Sequence, residues 1–296
     1  MITYKNNVGQ ITFCADDISQ SYLYDPAKFV PNQKSGRYDT YQVPALDGVT
    51  TYGASISNTQ IRLEGRVLLY NIRPVLPVME QYYSTRQKLC DLFCPKFKGI
   101  LTYTTRAGSY RIRDVYPVAP PTFGDYVTGT MPITIELASD MAYWEETQPH
   151  CVEMGIVQGG LTLPCTLPIS FGFYKHRTAE INNNSPYNIY PTVTLNARNT
   201  FTRLVNKTTG KLISMTKTID AGQKIVIDTS PRVMRATIYG QKDGQWIVIG
   251  DASPYISLDS MDFALVPGKN TLALENDVAD GTPSVIVEYR RAVLGV

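Results

Sequence analysis

The chain is 296 residues long, which exceeds the usual single domain and reads as two domains of roughly 150 residues each. Charged residues make up 18%, below the typical ~25%, and there are 20 tyrosines, so neutral polar and aromatic groups must cover much of the surface; Tyr suits surfaces that meet partners and equally suits half-buried strands. A formal charge of +2 supplies no field strong enough to hold nucleic acid or an anionic membrane, so no specific nucleic-acid partner and no membrane insertion are expected.

Gln10 to Phe13 opens the first half as a short apolar strand. The segment from Asp25 to Gly53 carries Pro26, Pro31, Gly36, Pro44, Gly48 and Gly53 with few apolar residues. It reads as a long excursion, and an arm onto a neighbouring subunit is one use for it. From Ile61 to Leu69, Ile61, Leu63, Gly65, Val67 and Leu69 alternate with Arg62, Glu64 and Arg66, the period of two of a half-buried strand.

Pro77 begins a helical stretch, PVMEQYYSTRQKLCDLFC, with Met79, Tyr82, Tyr83, Leu89, Leu92 and Phe93 at helical spacing around a polar Arg86. Pro77 fits the first turn, and Pro95 stops the helix after Cys94. Strands resume at Ile100 to Thr104, Tyr110 to Tyr116 and Met131 to Leu137.

The pattern weakens between Asp140 and Gly160, and a boundary near Gln148 divides the chain into residues 1–148 and 149–296. Beyond it, short strands recur at Tyr190 to Leu195, Phe201 to Val205, Lys211 to Met215, Ile225 to Asp228, Arg235 to Tyr239, Trp246 to Ile249, Thr271 to Leu274 and Ser284 to Tyr289. The fold class is therefore mainly β: a β-rich N-terminal domain with one helix, then a β-sandwich or jelly roll.

The N-terminus has no secretory signal and no apolar run approaches the ~20 residues that span a bilayer, so a soluble protein made in the cytoplasm is expected. Five irregularly placed cysteines read as free thiols rather than a disulfide framework. His150, Cys151, Cys165 and His176 combine both metal-ligand types but match no zinc spacing, and no metal site is expected. Cys90 and Cys94 stack one helical turn apart and read as packing thiols.

No serine stands in a nucleophile elbow, and Gly124 to Gly129 and Gly159-Gly160 lack the Lys and the strand-to-helix setting of a phosphate loop. Glu136 and Glu145 are a conceivable glycosidase pair that reads better as solvated acids. Neither catalytic residues nor a cofactor follow. Arg111 with Arg113, and Arg62 with Arg66, share strand faces that could meet phosphate, although interspersed acids favour a solvated or inter-subunit face. Tyr239, Trp246 and Tyr255, with Asn182 to Asn184, hold the parts of a sugar-binding site, yet Trp246 opens the apolar run Ile247-Val248-Ile249 and is expected in the core.

Two sets of segments carry a family resemblance. IRLEGRVLLY, QKLCDLFCPKFKGILTY, SYRIRDVYPVAPPTFG and MPITIELASD resemble, in order, the N-terminal domain of siphophage distal tail proteins. YPTVTLNARNTFTRLVNKTTGKLISM, GQKIVIDTS, FALVPGKNTLAL and VIVEYRRAVLGV resemble the galectin-like C-terminal domain of the same proteins. The resemblance implies a non-enzymatic virion component of the tail tip or baseplate: a homo-hexameric ring built by the N-terminal domain at the distal end of the tail tube. Its implied partners are the tube protein, the hub or fibre protein and a receptor-binding protein. The second reading is an adsorption protein that recognises a cell-wall glycan, and the third a wall-degrading glycosidase. With Trp246 assigned to the core, strong sugar binding by the C-terminal domain is not expected.

Overall fold

The computed structural model describes residues 1–15, 17–33, 36–42, 47–48, 50–69, 77–155, 177–196, 202–230, 234–275 and 284–296. Met1–Thr147 with Val293–Val296 form one compact unit, and Gln148–Ala292 form a second. The last four residues, read from the sequence as the end of the second domain, thus count with the first. Val293 and Val296 are apolar and pack on its core.

The first unit contains strands β1 (Ile2–Lys5), β2 (Gln10–Phe13), β3 (Tyr22–Tyr24), β4 (Val30–Gln33), β5 (Gly36–Tyr41), β6 (Thr50–Ile56) and β7 (Thr59–Leu68). Helix α1 (Val78–Leu92) follows, then β8 (Gly99–Thr104), β9 (Ser109–Pro117), β10 (Thr122–Phe123), β11 (Thr130–Ser139) and β12 (Trp144–Glu146). One sheet runs β2-β1-β8-β9-β11-β7-β3, with β4 added on β7, β10 on β11 and β12 on β9.

Its backbone is the antiparallel ladder of β7 with β11. The period-two pattern puts Ile61, Leu63 and Val67 on the buried face, where their register partners are Leu137, Ile135 and Met131, all buried too. Burying one such side chain contributes about 1.5–3 kcal/mol, so the two strands form an apolar stripe that the rest of the unit packs on. Gly65 interrupts the stripe for a steric reason. A Cβ there would lie 2.1 Å from the Leu23 carbonyl oxygen, because β3 crosses β7 with Tyr24 opposite Gly65.

Helix α1 starts after Pro77 and is capped at Phe93. Its buried positions are Gln81, Thr85, Leu89 and Leu92, whereas Met79 and Tyr83 are exposed. The buried face is therefore rotated from the one the apolar spacing selects. Arg86 explains part of the offset: its guanidinium sits over the rings of Tyr82 at 5.3 Å and Phe123 at 4.8 Å, so a charged side chain occupies an aromatic niche with its stem packed.

The excursion from Asp25 is not a free arm along its whole length. The Asp25 amide donates to the Glu64 carbonyl at 2.9 Å, Phe29 is buried against Tyr24 and Tyr103, and β4 pairs with β7. One buried phenylalanine is enough to tie the segment down despite its poor apolar content. Among the described residues, β5 and β6 alone stand apart, as an antiparallel two-stranded sheet.

The second unit contains β13 (His150–Gly155), β14 (Thr178–Asn183), β15 (Thr192–Asn196), β16 (Thr202–Asn206), β17 (Leu212–Met215), β18 (Gln223–Asp228), β19 (Arg235–Lys242), β20 (Gln245–Asp251), β21 (Gly268–Glu275) and β22 (Ser284–Tyr289). A last short strand, β23 (Ala292–Val293), follows at the boundary of the two units. Among the described residues two sheets make the second unit, ordered β13-β22-β15-β18-β19-β20 and β14-β21-β16-β17. Val193, Leu195, Ile225, Ile227, Val285 and Val287 line the buried face of the first, and Ile181, Leu204, Ile213, Leu272 and Leu274 that of the second. This is the mainly β, sandwich-type class expected from the spacing of short strands.

Two turns in this unit share a buried amide network. Asn206 donates through Nδ2 to the Ala264 carbonyl and to Asn270 Oδ1, both at 3.0 Å. Asn270 Oδ1 also accepts the Val266 amide at 2.9 Å, while its Nδ2 donates to the Val266 carbonyl at 2.7 Å. Gly268 has φ +88°, the left-handed region that glycine enters without steric cost. The segment VPGKN is thus a turn whose own side chain closes it.

Trp246 departs from expectation. It lies on β20, the edge strand, and is 43% exposed, as are its neighbours Ile247, Val248 and Ile249 to similar or greater degree. Its register with Gln241 turns Trp246 to the outer face of the sheet, away from the core that Ile225 and Ile238 line, so the ring stands in solvent rather than buried.

Candidate functional site

Two surfaces stand out. The first is the β5–β6 hairpin, whose short strands present Tyr38, Tyr41 and Tyr52 at 67%, 58% and 74% exposure. Among the described residues β5 and β6 pair only with each other. An isolated two-stranded hairpin is marginally stable in water, and ordering a segment requires something to pack on. Three exposed phenol rings supply large contact area at low side-chain entropy cost.

The second is the outer face of the six-stranded sheet. Register places Lys224 opposite Tyr239, Tyr239 opposite Val248 and Gln241 opposite Trp246. These side chains point away from the core because Ile225 and Ile238 take the inner positions. Lys224 Nζ lies 4.3 Å from the Trp246 ring centroid and 5.7 Å from that of Tyr239, a cation held across two aromatic rings. Beside them is an open depression of about 620 Å³, to which Thr194, Asn196, Asp220, Lys224, Trp246 and Glu288 contribute.

Of the three aromatic residues named from the sequence, the fold brings Tyr239 and Trp246 together and leaves Tyr255 elsewhere. Tyr255 ends a short 3-10 turn whose carbonyl accepts the Thr216 amide, next to β17 of the other sheet, and its ring faces Lys217 at 4.8 Å. Asn182 to Asn184 also belong to the other sheet: Asn183 is buried and donates to the Leu265 carbonyl, and Asn182 donates to Asn184. The sequence alone does not single out Thr194, Asn196, Asp220, Lys224 and Glu288. Their common face depends on which strands are neighbours, and a single strand's alternation does not reveal that.

The remaining candidates resolve into structural roles. Glu145 binds Arg111 at 3.2 Å and Arg113 at 2.9 Å, so both arginines of the β9 row are paired with one carboxylate of β12 and Glu145 is engaged rather than free for acid catalysis. Arg62 is held by Glu64 at 2.6 Å, and these contacts with Lys28 keep the Glu64 carboxyl below its ordinary range. Burial raises the Cys90 thiol, as suits a packing residue. His150 stacks on Tyr289, Cys151 is exposed, and Cys165, His176, Gly159 and Gly160 lie outside the described residues. Among the described residues no group of three or more His, Cys, Asp or Glu side chains is arranged to hold a metal ion, and no helix is long and apolar enough to cross a membrane.

Comparison with known proteins points in one direction. Residues 184–292, within the second unit, match the family of siphovirus-type tail components, C-terminal domain. The crystal structure of the SPP1 Dit protein, described as a paradigm of the hub adsorption apparatus in phages infecting Gram-positive bacteria, aligns over 99% of this chain and 100% of its own with a TM-score of 0.57 at 12% identity. The phage P2 baseplate in its activated conformation with Ca aligns over 100% of both chains with a TM-score of 0.54 at 14% identity. The same baseplate with Sr gives 0.53 at 14% identity. No curated protein sequence matches the chain.

Proposed function

We propose, on the premise that residues 184–292 are the C-terminal domain of a siphovirus-type tail component, that this chain is a structural protein of the phage tail tip and that its first unit closes into a hexameric ring. The ring sits at the distal end of the tail tube and docks the hub or fibre protein. Its chemistry is burial of interface rather than catalysis, and its place is in the virion.

The observation that carries the reading is the β5–β6 hairpin. Its tyrosines are exposed and its strands pair only with each other among the described residues. A strand pair of this kind persists when a neighbouring copy covers it. Repeating one heterologous contact around an axis closes a ring. The low charge of the chain, 18%, removes like-charge repulsion from such contacts. The family match and the fold likeness to baseplate proteins support the same assignment.

Light scattering of the full chain tests the proposal. A hexamer is expected for the wild type, and a variant carrying Tyr38→Ser, Tyr41→Ser and Tyr52→Ser is expected to fall to smaller species with its melting temperature preserved. A wild type that stays monomeric at high concentration, or a triple variant with undiminished assembly, contradicts it.

A further inference from the structure

We propose that the outer face of the six-stranded sheet, centred on Trp246 and Lys224, binds a neutral, hydroxyl-rich polysaccharide. The sequence argument against sugar binding rested on a core position for Trp246. With the indole 43% exposed that argument falls.

The parts of such a site are together on one face. Trp246 offers an apolar ring plate, and Lys224 pins it along the sheet at 4.3 Å from the centroid. Saccharide rings carry an apolar C–H face that packs on an indole and hydroxyls that donate and accept. Asn196 and Thr194 supply an amide and a hydroxyl, and Asp220 supplies a carboxylate acceptor, while Glu288 is held by Arg290 at 2.7 Å. The side chains of Thr194, Asn196 and Asp220 hydrogen-bond to no other described residue, so their bonding capacity faces outward. From β15 to β20 the face crosses three strand spacings, about 14 Å at ~4.8 Å each. That length accommodates several sugar rings in a row.

Charge selects the class of polymer. Glu288 is paired with Arg290 at 2.7 Å, which leaves Lys224 set against Asp220, so the lining carries no net charge to hold a phosphate-rich chain while hydroxyl groups are accepted. An open depression suits the flank of a long chain better than a small molecule, which needs a deep pocket to bury most of its surface. The site belongs to the second unit alone and does not depend on ring closure.

Affinity electrophoresis of the full chain tests the site, in gels containing dextran, a soluble galactan or a rhamnan as neutral probes and teichoic acid as the anionic one. Retardation by at least one neutral polymer is expected. Trp246→Ala and Asn196→Ala should weaken it at least tenfold at unchanged melting temperature, with Trp246→Phe retaining most of it and Tyr255→Ala all of it. If Trp246→Ala lowers the melting temperature, Asn196→Ala decides the matter. Absence of retardation by every neutral polymer, equal retardation of wild type and the deciding variant, or binding of teichoic acid alone overturns the proposal.

Discussion

Trp144, wholly buried, donates its indole N–H to Asn32 Oδ1 at 2.7 Å. Asn32 lies on β4, just before the β5–β6 hairpin, so the bond ties the root of the hairpin to β12. Replacing the amide with an apolar group of similar size leaves a buried donor unsatisfied, which costs about 1–3 kcal/mol. Asn32→Leu is therefore predicted to lower the urea midpoint of the first unit, read by near-UV circular dichroism. An unchanged midpoint would show that the bond does not anchor the strand.

Strands with strict alternation were legible in the sequence. Gln10–Phe13 and Ser284–Tyr289 have the bounds their residues imply, and β7, β8, β9 and β11 differ by a residue or two. Those strands are amphipathic, so their pattern is local. Strands β3, β4 and β12 escaped notice because they are short and held by a few long-range partners, as Trp144 is by Asn32. The helix was legible in extent but not in orientation, since Gln81 and Thr85 are buried where Met79 and Tyr83 are not. Trp246 misled for a related reason. An apolar run on a strand holds residues of both faces, and which of them turn to the core is set by the register with the neighbouring strand, here Gln241 opposite Trp246. The resemblance to siphophage distal tail proteins is borne out by family over residues 184–292 and by fold across the chain.

The paired turns of the second unit should be sensitive to the loss of one amide. Asn270→Ala removes one partner of Asn206 Nδ2 and that of the Val266 amide, and both Asn206 and Asn270 are fully buried. Asn206 Nδ2 keeps its bond to the Ala264 carbonyl, so the loss is partial, and a cost of roughly 1–3 kcal/mol is expected in chemical denaturation followed on the second unit. A loss below 1 kcal/mol would mean that water or a rearranged turn replaces the network.

Trp246 and Phe263 separate an exposed aromatic residue from a core one. Phe263 has no exposed surface, and Phe263→Ala is expected to destabilise by about 3–5 kcal/mol. Trp246→Ala removes an edge residue with much of its ring in solvent, and a change within about 1 kcal/mol is expected. Thermal melts of the two variants compare them directly. Equal, large losses would return Trp246 to the core.

Gly65 should tolerate no side chain. An added Cβ meets the Leu23 carbonyl oxygen at 2.1 Å, so Gly65→Ala must push β3 off β7. Hydrogen exchange of the Tyr22 to Tyr24 amides is predicted to accelerate in this variant, with the ladder of β7 and β11 retained. Unaltered protection there would mean that the sheet flexes enough to absorb the methyl group.

The central claim is that this chain builds rings, and electron micrographs of the purified full-length protein test it most directly. Closed rings with six-fold symmetry are predicted, lost when Tyr38, Tyr41 and Tyr52 of the exposed hairpin are changed together to serine. A field of dispersed monomers from the wild-type protein at high concentration, or rings that survive the triple substitution unchanged, would contradict the account.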